Sequence, residues 1–218
     1  MSEPTHSLTR QGLVLGLYAI LLTPFVYWTS LDFFFDSTKA FYAMGLAQLL
    51  LVGYVWLAYR HPVWRPRRDF VSKTFLALLC AVVLVSALGV DPFLSFWAST
   101  DRINGVLWWL HLGALYLVLA NILRTPQEWN RFFVVQVEIG LIVGLIFLLT
   151  QVDPTFLVAS KGGATTGNST FLGAYLLFSV FFALMLSARG HAVWMRRFGL
   201  ICAAVFAALV FATTAEAA

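Results

Sequence analysis

Seven long apolar stretches, divided by short polar loops, organise this chain. They run Gly12–Ser30, Ala40–Tyr59, Thr74–Val90, Gly105–Leu123, Phe132–Thr150, Ser169–Ala188 and Phe198–Ala215. Each is about the length that a ~30 Å hydrocarbon core demands of a helix. A bilayer core offers no water to unpaired backbone groups, so runs this apolar cross it as helices. The pattern predicts an all-α polytopic membrane helix bundle of about seven transmembrane helices.

Charge adds an orientation. Alternate loops carry Arg10; then Arg60, Arg65, Arg67, Arg68 and Lys73; then Arg124 and Arg131; then Arg189, Arg196 and Arg197. The intervening loops hold only Lys39, Arg102 and Lys161. Basic loops stay cytoplasmic, so the N-terminus is expected in the cytoplasm. Leu31–Lys39, Asp91–Asn104 and Gln151–Asn168 are expected to face outward, as is the C-terminus after an odd number of spans.

Composition agrees. The chain is 61% hydrophobic and 11% charged, against about 25% charged in soluble domains. Its net charge of +4 is dispersed over short loops, so no nucleic-acid partner is expected. Contact of Arg60–Arg68 with anionic membrane lipids fits the same loops. The first apolar run is followed by bulky Tyr27, Trp28, Leu31 and Phe33, unlike a signal-peptidase site, and reads as an uncleaved span. Cys80 and Cys202 both fall inside spans and read as small packing residues. No Cys/His spacing suits a metal. The whole of 1–218 reads as one transmembrane helical domain. Because its last span ends without a polar tail, it is expected to be the N-terminal part of a longer protein.

Candidate chemistry lies in two outward loops. Val90–Gly105 is aromatic and amphipathic, suited to the membrane interface, and carries Trp97 and Arg102. The guanidinium of Arg102, with Lys161 in another outward loop, could take the phosphate oxygens of a pyrophosphate. The plainer reading is an Asp101–Arg102 surface pair or a snorkelling anchor. In Lys161–Gly173, glycines and hydroxyls run straight into an apolar helix, which Asn168, Ser169 or Thr170 can cap. The amides there could receive an anion, or the segment is simply a capped turn. Asn168-Ser169-Thr170 fits the N-glycosylation pattern but lies at the membrane boundary. Within spans, Glu138 is expected about two turns inside the cytoplasmic end of its helix, a functional candidate or a structural carboxyl. Gln48 reads as glue between helices, and His111 as a satisfied packing residue more than a base. Gly12-x-x-x-Gly16 and Gly140-x-x-x-Gly144 are close-packing spacings.

The two outward loops carry a resemblance. Asp91-Pro92-Phe93-Leu94-Ser95-Phe96-Trp97, followed by Asp101-Arg102-Ile103-Asn104-Gly105, is similar to a segment of the O-antigen ligase-like family. There an aromatic S-x-W stretch precedes an acidic-Arg pair and a Gly. Thr166-Gly167-Asn168-Ser169-Thr170-Phe171-Leu172-Gly173-Ala174-Tyr175-Leu176 resembles that family's GNP-x-x-LA-x-Y-L start of a later span. The resemblance covers roughly Val90 to Leu186. It implies an inverting glycosyltransferase of the bacterial inner membrane that works in lipopolysaccharide biosynthesis. Such a ligase moves a glycan from undecaprenyl pyrophosphate to lipid A–core or a similar lipid or glycolipid acceptor on the periplasmic side. It needs no metal, nucleotide or other cofactor. Related members polymerise O-antigen repeats. The family's catalytic His and Arg residues lie in a large periplasmic loop beyond the spans seen here. This chain has no such loop, and Thr213–Ala218 lacks the Arg that often follows in the family. Its catalytic residues are therefore unassigned, and the chain alone is expected to be inactive. Trp97, Arg102, Lys161 and Asn168 are the expected contacts to carrier or glycan. A transporter or flippase module is the rival class, and it would want a polar path at the midplane. An assembly subunit would instead tolerate substitution of Arg102 and Lys161. Span seven lacks the Lys of a retinal protein, and no Gly-x-Ser-Gly of a rhomboid protease occurs.

Overall fold

The computed structural model describes residues 8–30, 33, 35–99, 103–153, 156, 162–190 and 192–217, with backbone alone for 214–217. Among these residues the fold is helical and without strands. The helices are α1 (Leu8–Leu21), α2 (Asp36–Arg60), α3 (Phe70–Ala87), a short α4 (Pro92–Trp97), α5 (Val106–Ile122), α6 (Pro126–Val152), α7 (Ser169–Arg189) and α8 (Val193–Ala217). Each expected apolar stretch carries one of the longer helices. Five of them, α2, α3, α6, α7 and α8, are long and apolar enough to cross a membrane, and they mark a membrane protein. The other two, α1 and α5, are shorter, at 14 and 17 residues, or about 21 and 25 Å.

Helix ends depart from the ends of the apolar runs for local reasons. Pro24 lies in a 3₁₀ turn, Thr23–Phe25. Lacking an N–H and crowding the residue before it, it accompanies the end of α1 at Leu21, well short of the expected Ser30. In contrast, α6 starts before the expected Phe132. Pro126 occupies its first turn, and Thr125 and Glu128 form a reciprocal capping box that satisfies two backbone donors. Asp69 caps α3, its carboxylate accepting from Ser72 N at 2.7 Å, and so extends that helix ahead of Thr74. Hydropathy marks only the part of a helix that suits lipid, whereas caps mark where the helix begins.

The chain forms two compact units: residues 1–20 with 29–124, and residues 21–28 with 125–218. In the first, α2 packs along α5, and α3 contacts α5 and α4. Leu50, Leu57, Val118 and Ile122 are buried there. Gly16 sits against Leu50 and Gly53 against Leu13, while Gly12 has open space beside it. Tyr42 Oη donates to Ala19 O at 2.7 Å. None of the residues of α3 is buried.

In the second unit α8 lies along α7, and α6 packs against both. Val137, Val143 and Phe147 of α6 meet Leu172 and Leu176 of α7 and Cys202, Phe206 and Leu209 of α8. Gly140 lets Phe206 and Ser179 approach, and Gly144 admits Leu209. The second small-residue spacing thus works as a packing notch, as expected. Cys202 is buried in this core, while Cys80 is exposed on α3.

Candidate functional site

The aromatic loop of the first unit is built around α4. Asp91 caps it by accepting from Leu94 N at 2.9 Å, and Pro92 sits in the first turn, where its missing N–H costs nothing. Phe93, Leu94 and Trp97 are exposed. The Trp97 ring meets Phe96 edge-on at 5.1 Å and Phe93 at 6.4 Å. An exposed aromatic ledge on a short helix suits the interface, where such rings partition. The chain then doubles back on itself. Ala98 (φ 62°) and Ile103 (φ 45°) both take left-handed backbone, a costly conformation for β-carbon residues. Gly105 ends the bend and caps α5. A Cβ there would stand 2.5 Å from Phe96 O, 2.8 Å from Ser95 O and 2.9 Å from Ala98 N. Only glycine fits so close to three backbone atoms.

The glycine-hydroxyl segment of the second unit is described from Gly162 onward. Gly162 (φ 65°), Ala164 (φ 46°) and Gly167 (φ 88°) turn the chain. Ala164 and Thr165 are buried in a 3₁₀ turn that contacts α6, α7 and the Thr23–Phe25 turn. Thr166 Oγ lies 2.7 Å from Gly163 O and 3.2 Å from Asn168 O. Asn168 is exposed and caps α7 through Oδ1, which accepts from Thr170 N at 2.8 Å. From Gly162 to Asn168 the chain is therefore a packed plug at the start of α7.

Of the four expected contact residues, Trp97 belongs to the first unit and Asn168 to the second. Arg102 and Lys161 lie outside the described residues. Asn168 takes the capping role foreseen for it, and Trp97 is solvent- or lipid-accessible on its helix.

Among polar groups inside the apolar helices, Gln48 and His111 take the roles expected of them, whereas Glu138 lies at another depth. Gln48 and His111 bond to one another, Gln48 Nε2 to His111 Nε2 at 2.8 Å, joining α2 to α5. His111 Nδ1 is 2.6 Å from Leu107 O. A carbonyl can only accept, so Nδ1 carries the proton and Nε2 accepts from the Gln48 amide. Gln48 stands midway along α2 and is exposed. Gln136 donates to Tyr175 Oη at 3.2 Å. Glu138 is exposed, and α6 begins at Pro126. It therefore lies about 18 Å along the helix, deeper than two turns from its start. No hydrogen-bond or ion-pair partner meets its carboxylate among the described residues.

Sequence reasoning missed a polar hub in the first unit. Trp64 is buried, and its carbonyl accepts from Tyr54 Oη at 2.9 Å. The guanidiniums of Arg124 and Arg10 lie 4.2 and 5.3 Å from its ring centroid. Arg124 also donates to Asn121 O and Val63 O, each at 2.8 Å. Asn121 Oδ1 accepts from Arg67 N at 3.0 Å. The signal available was Trp64 amid arginines in a loop too short to bury it alone.

Among the described residues no group of three or more His, Cys, Asp or Glu could hold a metal ion. Comparison with protein-family models, curated proteins and solved structures finds no match to this chain.

Proposed function

We propose that this chain is the membrane-embedded part of a lipid-linked glycan ligase of the O-antigen ligase type, in a bacterial inner membrane. In this reading α1 and α5 also cross the bilayer, making seven spans with the N-terminus cytoplasmic. Their deficit against a ~30 Å core is met by local thinning and by flanking anchors. The aromatic loop and the plug before α7 then face the periplasm. Arg102 and Trp97 of the first loop, and Lys161 and Asn168 of the second, are each assigned to contact with the carrier pyrophosphate or its glycan, and Asn168 caps α7. The acceptor is lipid A–core or a similar glycolipid. Catalytic groups come from residues other than these.

The observation that carries the reading is how the described parts of both resemblance segments are built: a capped aromatic helix packed against Gly105, and a glycine-hydroxyl plug closed by the Asn168 cap. A merely connecting loop needs neither.

The test is retention of radiolabelled undecaprenyl pyrophosphate by the purified, immobilised chain. Retention well above that of undecaprenol, reduced by Arg102→Gln and Lys161→Gln, is the expected result. Equal retention of the two prenyl compounds would sink the proposal.

A transporter or flippase module is the second reading. It is favoured by the exposed Gln48–His111 pair and by Glu138, polar groups deep in apolar helices. Solute or lipid flux in proteoliposomes that is abolished by Glu138→Leu would put this reading ahead.

A further inference from the structure

The basic loop between α2 and α3 is held in place before anything binds to it. Tyr54 Oη anchors the Trp64 carbonyl, Arg124 grips the Val63 carbonyl, and the Asn121 side chain takes the Arg67 amide. These bonds fix the backbone on which Arg65, Arg67 and Arg68 stand exposed. Arg60, at the end of α2, is also exposed and stacks at 4.5 Å over the ring of Trp56. Two guanidiniums lie over the Trp64 ring, whose indole Nε1 is enclosed and has no hydrogen-bond partner among the described residues. The one acid of the loop, Asp69, already accepts from Ser72 N. The same stretch of chain also exposes apolar side chains: Trp56, Val63 and Phe70. A soluble anion has no use for such neighbours, whereas a lipid brings a phosphate and acyl chains together.

We propose that this loop is a headgroup site for an anionic phospholipid. Arg65 and Arg68 carry the phosphate, with Arg60 beside it. Trp56, Val63 and Phe70 line the glycerol and upper acyl chains. Because the loop backbone is already pinned, binding orders only side chains and lipid. The proposal needs only a chain embedded in a bilayer, so it stands or falls separately from the glycan-transfer reading.

Native mass spectrometry of the purified chain, loaded from micelles with equal phosphatidylglycerol and phosphatidylethanolamine, reads the ratio retained. The wild type should favour phosphatidylglycerol. Arg65→Gln with Arg68→Gln should lower the ratio on the order of tenfold, from the effect of each cation near a surface. Arg65→Lys with Arg68→Lys should keep most of it and shows that substitution there leaves the fold intact. Arg189→Gln with Arg197→Gln removes the same charge from another basic loop and should leave the ratio unchanged. Equal losses from both glutamine pairs, or no preference in the wild type, would overturn the proposal. So would displacement of phosphatidylglycerol by millimolar inorganic phosphate, which would mark a site for free anions.

Discussion

Replacing Gly105 by alanine tests the bend that closes the aromatic loop. The added Cβ would meet Phe96 O, Ser95 O and Ala98 N at 2.5, 2.8 and 2.9 Å, all under the 3.0 Å that real Cβ atoms keep. All three are backbone atoms, so no rotamer change relieves them. The end of α4 must move away from the start of α5, at a cost of about 1–3 kcal/mol, as for other overpacked sites. Two control substitutions bracket the value. At Gly113 the nearest atom is Leu79 Cδ1 at 2.6 Å, the tip of a flexible side chain, so Gly113→Ala should cost less. At Gly12 nothing lies within 4 Å, and alanine should add up to roughly 1 kcal/mol of helix propensity. Unfolding in mixed micelles with a rising fraction of denaturing detergent, followed by helicity, gives the order. The expected ranking from most to least stable is Gly12→Ala, Gly113→Ala, Gly105→Ala. A Gly105→Ala protein as stable as the wild type would show that the close approach is not maintained, and the steric reasoning would fail. Loss of carrier retention in the same variant would link the bend to the proposed site.

Three further outcomes are expected. Gln48→Leu and His111→Leu, combined in a double-mutant cycle, should show a coupling of about 0.6 kcal/mol, and no more than about 1.7. A coupling of zero would mean the contact is not held in the membrane. Tyr54→Phe should cost about 1 kcal/mol by leaving the buried Trp64 carbonyl short of a donor; an unchanged unfolding midpoint would argue that the hub adds nothing to stability. The Ser72 amide N–H holds the Asp69 carboxyl below its ordinary value of 3.8. The cap therefore acts fully above that ordinary value and is lost as pH falls through the lowered one. Amide exchange in the first turn of α3 should show this as excess opening in acid. Asp69→Asn, which accepts without titrating, should remove the pH dependence, and its persistence would refute the assignment.

Much of the architecture was legible along the chain. Apolar runs of this length, charged in their interiors only at Glu138, had to become helices, because a single segment satisfies its own backbone in hydrocarbon in no other way. Asn168 before Ser169 was readable as a cap, since a short polar side chain preceding an apolar helix meets its free amides. Helix ends were less legible, because Pro24 and the Thr125–Glu128 box act through backbone hydrogen bonds that hydropathy does not see. The site was legible only in part. Trp97 and Asn168 were found by their loops, whereas the hub around Trp64 was hidden. Its members, Arg10, Tyr54, Trp64, Asn121 and Arg124, are far apart in sequence, and only packing of α2 against α5 brings most of them together.

The sequence by itself determined that this is a helical membrane protein and where its polar loops fall, because the bilayer acts on each segment separately. Only the tertiary structure decided which polar groups meet: Gln48 with His111, Gln136 with Tyr175, and Arg124 with Trp64 and Val63. It also decided that Glu138 meets none among the described residues. Those pairings depend on helix rotation and, for Gln136 with Tyr175, on the close packing of α6 at Gly140. Rotation and close packing are set by side chains distant in sequence, such as Ser179 and Phe206 at Gly140, which a hydropathy pattern cannot encode.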